Sequence, residues 1–256
     1  MIEGHLYFFP LSVCILIPCA YFTSFFVAVH FGHLKFEFPF LNHSSTDSPE
    51  SCIYSQIINF VSFLLIITIY IRYRQITELI RNNPTCGIRY IRFNITFLIC
   101  GIIAAFSLSI TSNFPHTNVY SIRIMALYTT YLTSVGALNC ETLLSLWIQP
   151  LLYSSRILPI LRSIITIICT LTLFLFLIVQ TIILIKYDNE NKPWTSTTLG
   201  WNYHLTSIIS TWILTSFLLL YLSTLIIDFH RIKIISPKIF LTNDITDEQN
   251  ALSLSI

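Results

Sequence analysis

Six long apolar runs, separated by short polar connections, dominate the pattern of the chain. Each run has about the 20 apolar residues that a helix needs to cross the hydrocarbon layer of a bilayer. The runs are continuous and do not alternate with a period of two, which favours helices over the strands of a membrane barrel. The runs cover approximately residues 6–31, 52–71, 93–112, 121–147, 164–185 and 204–227. This pattern predicts an all-α membrane protein, a polytopic bundle of six transmembrane helices.

Composition supports the same class of protein. Of 256 residues, 54% are hydrophobic and only 10% are charged, and the mean hydropathy is +0.73. Soluble domains carry about 25% charged residues, so these few charges could not cover a water-soluble globule. Intrinsic disorder is excluded for the same reason. The net charge of +2 is too weak and too scattered for a nucleic-acid surface. The expected partner is therefore the lipid bilayer, and no nucleic acid is expected.

The distribution of basic residues predicts the orientation of the bundle. Of the 14 Lys and Arg residues, ten lie on the side shared by the N-terminus, loops two and four, and the tail. Because cytosolic connections are rich in Lys and Arg, we expect both termini to be cytosolic. The chain then divides into a six-span domain, residues 1–235, and a short cytosolic tail, residues 236–256. Asn42 begins an Asn-His-Ser sequon in the predicted lumenal loop one and is a candidate glycosylation site.

Polar residues within the spans are candidates for an intramembrane site, because they are costly there unless they face protein or water. Glu141 is the clearest case, about two turns inside the cytosolic end of span four and beside Asn139. It is either a proton-linked or lipid-headgroup site, or a packing residue that faces another helix. Gln56 and Asn59 share one face of span two, and Gln180 lies in span five. Such amides typically join helices, and we favour that role for them.

Five histidines lie on or near the predicted lumenal side: His43 and the four candidates for a site, His30, His33, His116 and His204. An acidic lumen would protonate histidine side chains, whose ordinary pKa is about 6.5. These residues could form a pH-responsive lumenal surface or a metal site assembled from several spans, but we favour interfacial anchoring of the helix ends. The seven cysteines show no CxxC or His–Cys spacing. No metal ion or other cofactor is therefore expected.

Loop two has a basic character that allows two interpretations. Arg72, Arg74 and Arg81 alternate with apolar residues and resemble a basic interfacial helix that is broken at Pro84. Basic residues beside an anionic leaflet contribute about 1 kcal/mol each, so these arginines are candidates for contact with anionic lipid. The alternative, given equal weight, is that they only mark the cytosolic side.

Short motifs recur through the chain in a recognisable order. They are Pro49-Glu50-Ser51-Cys52, Asn59, Ile69-Tyr70-Ile71-Arg72-Tyr73-Arg74-Gln75, Ser112-Asn113-Phe114, Gln149-Pro150, Gly200-Trp201-Asn202, His204, Trp212 and Asp228-Phe229-His230-Arg231-Ile232. Their order and spacing resemble the DRAM family, the damage-regulated autophagy modulators. That family is part of a wider six-span superfamily of the CWH, FRAG, DRAM and Sfk type. The superfamily also includes GPI-anchor remodelling proteins and plasma-membrane regulators of phosphoinositide synthesis.

The resemblance implies a multi-pass protein of lysosomal or endosomal membranes that promotes autophagy and has no established catalytic chemistry. Anionic lipids and other membrane proteins are the further partners to expect. Two alternatives are a lipid- or GPI-anchor-remodelling protein, in the Golgi, and a plasma-membrane regulator of phosphoinositide levels. The chain has no nucleophile-elbow, HExxH or paired-carboxylate motif. The tail departs from a lysosomal acidic dileucine signal, because Leu252 is followed by Ser253.

Overall fold

A computed structural model of the chain describes residues 6–33, 48–83, 87–114, 120–152, 157–186 and 199–230. Asn42, His116 and the predicted tail, 236–256, lie outside these ranges. The described residues form helices and turns, with no strand among them. The helices are α1 (Phe8–His30), α2 (Glu50–Arg81), α3 (Ile88–Asn113), α4 (Tyr120–Leu152), α5 (Ile157–Lys186) and α6 (Trp201–Phe229).

The outer surface of the helices is apolar. Large side chains such as Phe22, Ile99, Leu171 and Ile178 are more than half exposed. A soluble monomer rarely leaves such contiguous apolar surface open to water, whereas a membrane protein places it against lipid. Five helices, all except α4, are long and apolar enough to cross a membrane. The chain is thus a multi-pass helical membrane protein, as the apolar pattern predicted.

Helix α4 corresponds to the fourth of the six predicted spans, and its most apolar stretch is more polar than those of the other five helices. It is not among the five helices that are long and apolar enough to cross a membrane, and it carries several hydroxyl side chains in addition to Asn139 and Glu141. Its polar groups are bonded within the bundle: the Thr142 hydroxyl lies 2.7 Å from the Thr166 hydroxyl and 3.1 Å from the Tyr221 hydroxyl. The polarity of α4 therefore reflects contacts with α5 and α6.

The six helices form a closed ring. Each helix packs against its neighbours in the sequence, and α1 packs against α6. The rings of Tyr7, just before α1, and His230, just after α6, stack with centroids 4.3 Å apart. Helices α2, α4 and α6 end at the side of the bundle where α3 and α5 begin, which we call the Arg81 end. The opposite side, where α2 begins, is the Glu50 end.

Helix α2 extends beyond the predicted span, which ended at residue 71. It continues without a break to Arg81, so Arg72, Arg74 and Arg81 belong to α2 and not to a separate interfacial helix. One face of α2 remains buried after Tyr70, because Arg72, Ile76 and Ile80, spaced four residues apart, all point into the bundle. Ile76 and Ile80 pack with side chains of α4 such as Leu144. Hydropathy marks the stretch that is soluble in lipid, whereas a helix continues for as long as one face is packed. Helix α5 likewise begins at Ile157, before the predicted residue 164.

Two glycines at helix contacts should respond differently to substitution: Gly101 of α3, which faces α2, and Gly136 of α4, which faces α3. A Cβ atom at Gly101 would lie 2.9 Å from Cγ2 and Cδ1 of Ile69, whereas a Cβ at Gly136 would meet only Cys100 Sγ, at 3.9 Å. We expect Gly101→Ala to destabilise the protein by about 1–3 kcal/mol through overpacking. Gly136→Ala should be neutral or stabilising by up to about 1 kcal/mol. Thermal unfolding in a mild detergent measures both effects, and equal melting temperatures would contradict this packing.

Candidate functional site

Four charged side chains form a buried ion cluster at the Arg81 end. Arg72 of α2 donates from Nε and Nη2 to Glu141 Oε1 of α4, at 2.7 and 2.6 Å. Arg72 Nη1 lies 3.0 Å from Asp228 Oδ2 of α6, and Arg162 Nη2 of α5 lies 2.7 Å from the same oxygen. Each side chain is at most 2% exposed. The ion cluster is therefore a neutral chain of alternating charges that joins four helices.

Neutral groups satisfy the remaining donors of the two arginines. Arg72 Nη1 donates to Gln75 Oε1 at 2.6 Å. Arg162 donates from Nε to Thr224 Oγ1 at 2.8 Å, from Nη2 to the Thr224 carbonyl at 3.1 Å, and from Nη1 to Ser145 Oγ at 3.1 Å. Buried ion pairs are tolerated when such hydrogen bonds replace the lost hydration. The Arg81 end meets this requirement for both guanidinium groups.

The ion cluster opposes the dipoles of two of its helices. Arg162 lies in the second turn of α5, and Asp228 is the penultimate residue of α6. A cation near a helix N-terminus and an anion near a C-terminus are each disfavoured by the macrodipole, by about 0.3–1 kcal/mol. Their direct contact offsets this cost. Arg162 and Asp228 thus depend on each other, and Asp228 is also paired with Arg72.

Glu141 is the link between the ion cluster and the interior of the ring. Its side chain is fully buried, and Arg72 contacts only Oε1. Among the described residues, Oε2 has no hydrogen-bond partner. Glu141 also lines a cavity inside the ring. One carboxylate oxygen is therefore held by Arg72, and the other is buried without a hydrogen-bond partner in the described part of the chain.

That central cavity has a volume of about 290 Å³ and mostly apolar walls from all six helices. Glu141 lines it, and so do His204, Gln180 and Arg123. Arg123 lies in the first turn of α4, at the Glu50 end, whereas Glu141 lies in the half of α4 nearer the Arg81 end. The cavity therefore extends along the bundle between a cation and a carboxylate.

The other candidate intramembrane residues join helices, with one exception. Asn59 of α2 and Asn113 of α3 exchange amide hydrogen bonds of 3.1 and 2.8 Å. Asn139 Nδ2 lies 3.3 Å from Thr170 Oγ1 of α5, and Gln180 Oε1 accepts from Ser207 of α6 at 2.8 Å. Gln56 is exposed on the outer surface, although it shares the sequence face of Asn59.

The three candidate lumenal histidines that the structure describes do not come together. His30 is exposed at the end of α1, and His204 lines the central cavity. The His33 Nδ1 atom lies 2.7 Å from Oε1 of Glu50, the buried first residue of α2. Gly32 allows His33 to reach Glu50, because its φ of +76° reverses the direction of the chain after α1. Among the described residues, no group of three or more His, Cys, Asp or Glu could hold a metal ion.

The structure corrects the expected role of Arg72. Its burial at 1% exposure removes it from the surface, where an anionic headgroup would reach it, because α2 turns it toward Glu141 and Asp228. Arg74 and Arg81 are exposed, and contact with anionic lipid remains a prediction for these two. Sequence reasoning missed Arg162 and Asp228 as site residues. Their position near span boundaries is the signal that was available, since two opposite charges close to the same predicted membrane face can pair.

The fold defines a class: a multi-pass membrane protein whose helices form a ring around a polar-ended cavity. The family model described as the Frag1/DRAM/Sfk1/Cwh43P N-terminal domain matches residues 5–232, a range that includes every residue the structure describes. The chain therefore belongs to the Frag1/DRAM/Sfk1/Cwh43 family.

Similar proteins carry the DRAM name, which confirms the resemblance found in the motifs. DNA damage-regulated autophagy modulator protein 2 of Bos taurus is 24% identical over 234 residues, which cover 89% of this chain and 85% of the relative. The Homo sapiens protein of the same name is 25% identical over 231 residues, with the same coverage, 89% and 85%. DNA damage-regulated autophagy modulator protein 1 of Homo sapiens is 25% identical over 225 residues, which cover 88% of this chain and 91% of the relative. No solved structure matches the chain.

The ion cluster predicts unequal effects for two arginines of α2. Arg72→Gln leaves Glu141 and Asp228 without their shared cation, and such a buried loss costs about 3–5 kcal/mol. Arg81→Gln removes only an exposed pair with Glu78, which is worth less than about 1 kcal/mol. Denaturant unfolding in detergent micelles measures both free energies. Similar stabilities for the two variants would show that the ion cluster does not hold the helices together.

Proposed function

We propose that this protein modulates autophagy from lysosomal or endosomal membranes and that it does so without catalysis. The observation that carries the proposal is similarity along nearly the whole chain to proteins named as autophagy modulators. The similarity is not confined to one motif, since it covers 89% of the chain in the case of both protein 2 relatives. It therefore includes the helices that form the ion cluster and the cavity.

We further propose that all six helices span the membrane, with both termini in the cytosol. The closed ring supports α4 as a span, because α4 packs between α3 and α5, and its hydroxyls are bonded to α5 and α6. Exposed Arg74 and Arg81 at the Arg81 end agree with the excess of Lys and Arg expected on the cytosolic side. In this orientation the ion cluster lies toward the cytosolic face, and His33 and Glu50 lie toward the lumen.

The geometry of the ion cluster supports a non-catalytic role. A general acid or base must be able to exchange its proton with a substrate that lies within hydrogen-bond reach. Three of the four charged groups are instead committed to one another and to Thr224, Ser145 and Gln75. Such an arrangement holds helices in register.

A lipid- or GPI-anchor-remodelling protein is the second candidate. One observation favours it, namely that Glu141 and His204 line the same cavity. His33 does not line that cavity and contacts Glu50 instead. A remodelling enzyme would need Glu141 and His204 for the reaction, whereas a non-catalytic modulator would need only the packing of the ring.

Localisation and autophagic flux test the proposal in cells whose own gene for this protein has been disrupted. A tagged wild-type chain should overlap a lysosomal marker and restore the turnover of lipidated autophagosome protein, measured with and without a lysosomal inhibitor. His204→Gln should restore flux equally, because a non-catalytic modulator does not need an imidazole in the cavity. Arg72→Gln should not restore flux, because the variant protein should not fold stably.

The controls separate the candidates. Arg81→Gln, an exposed change in the same helix as Arg72→Gln, should behave as the wild type does. Confinement to the Golgi, together with loss of activity in a stably folded His204→Gln variant, would contradict the proposal and favour lipid remodelling. Normal lysosomal localisation without any effect on flux would contradict the autophagy role itself.

A further inference from the structure

Arg123 is a half-buried cation at one end of the central cavity. Its guanidinium has one long hydrogen bond, from Nη1 to the Phe114 carbonyl at 3.5 Å. Within the described ranges, no carboxylate forms an ion pair with it. This sets it apart from Arg72 and Arg162, whose charges are neutralised in the ion cluster. A cation that has lost part of its hydration and has no counter-ion in the described part of the chain favours a site for an anion.

Two tyrosines complete the polar surroundings of Arg123. Tyr21 of α1 and Tyr54 of α2 line the cavity with ring centroids 5.5 Å apart. The guanidinium interacts electrostatically with both hydroxyls. Phenol hydroxyls donate hydrogen bonds readily to carboxylate and phosphate oxygens. The two hydroxyls also hydrogen-bond to each other, which uses one of their two hydrogens. Helices α1, α2 and α4 thus bring one positive charge and one free hydroxyl donor to the same place.

Beyond this polar end, the cavity walls are mostly apolar and include small and aliphatic side chains such as Ile58, Ala104, Ala137 and Leu138. Apolar cavities do not hold ordered water, which needs two to four polar partners. At about 30 Å³ for each water-sized group, the volume of about 290 Å³ accommodates roughly ten methylene groups. One acyl chain of about this length fits, whereas the two chains of a bilayer phospholipid do not.

The far end of the cavity fixes the orientation of such a ligand. Glu141 lies there, and Arg72 already compensates its charge. This end therefore offers no unpaired cation to an anionic headgroup. Among the described residues that line the cavity, the arginine without an ion pair is Arg123, at the opposite end.

We infer that the central cavity binds a single-chain lipid anion, with its headgroup at Arg123, Tyr21 and Tyr54 and its acyl chain along the apolar wall toward Glu141. The headgroup chemistry is a carboxylate or a phosphate monoester, which share a compact negative charge. A fatty acid and a lysophosphatidate are the two sources of that chemistry. The site is separate from the ion cluster, and the inference holds with either candidate function.

Native mass spectrometry of the full chain, released from phosphatidylcholine nanodiscs, tests this site. The probes are dodecanoate, the lysophosphatidate with a 12-carbon chain, and neutral monododecanoylglycerol. We expect one bound copy of at least one anionic probe, held at least tenfold more tightly than the neutral probe. The anionic probe that binds more tightly shows whether the site prefers a fatty acid or a lysophosphatidate.

Variants locate the bound probe within the chain. Arg123→Gln should weaken binding of the anion at least tenfold, whereas the matched control Arg92→Gln, an exposed arginine of α3 at the opposite end, should not change it. Arg123→Lys keeps the charge and should retain most of the affinity. Ala137→Leu, which fills part of the apolar wall, should weaken binding of the anion at least tenfold without removing any charge.

Two variants keep the test decisive if Arg123→Gln does not fold. Arg123→Lys and Ala137→Leu then carry it, with thermal unfolding to show that they are folded. Equal binding of neutral and anionic probes would overturn the inference. So would the absence of anion binding, or unchanged binding in a folded Arg123→Gln or Ala137→Leu variant.

Discussion

The contact between Asp228 and two arginines is the interaction on which the rest of this structure depends. Asp228 Oδ2 lies 3.0 Å from Arg72 Nη1 and 2.7 Å from Arg162 Nη2. Removing charges from water costs several kcal/mol for each ion, and only close pairing with full hydrogen bonding offsets that cost. The four helices that carry the ion cluster must therefore meet with one register. A small axial shift of α6 would separate Asp228 from both arginines.

That register in turn defines the interior of the ring. Glu141 is held by Arg72 at one end of the cavity, and Arg123 of the same helix lies at the other. The distance between these two charges is set by α4 alone, so it does not vary with the packing of the loops. Small residues on α3 and α4 leave the space between them open, and Gly101 allows α2 to approach α3 closely. The ion cluster and the cavity are thus parts of one arrangement.

The apolar runs predicted the class of the fold because lipid solubility depends on residue type and run length, which a sequence contains directly. Each predicted span overlaps one helix. The ends were less predictable, as α2 shows: its last ten residues are too polar to count as a span, yet one face of them packs on α4. Glu141 could be identified as a candidate since a carboxylate inside an apolar run is conspicuous. Its partners could not, because Arg72, Arg162 and Asp228 lie near span ends, where basic and acidic residues are common. Their pairing follows only from the closure of the ring by α1 and α6.

A double-mutant cycle between Arg162 and Asp228 tests the central claim most directly. The free energies of unfolding of Arg162→Gln, Asp228→Asn and the double variant are measured in the same detergent. Residues that act in one buried network have coupling energies of about 0.5–3 kcal/mol. We predict a coupling of at least about 1.5 kcal/mol, because the two charges share a buried contact of 2.7 Å and disfavoured helix dipoles. Effects that add within about 0.5 kcal/mol would show that the two residues act independently and would contradict the account.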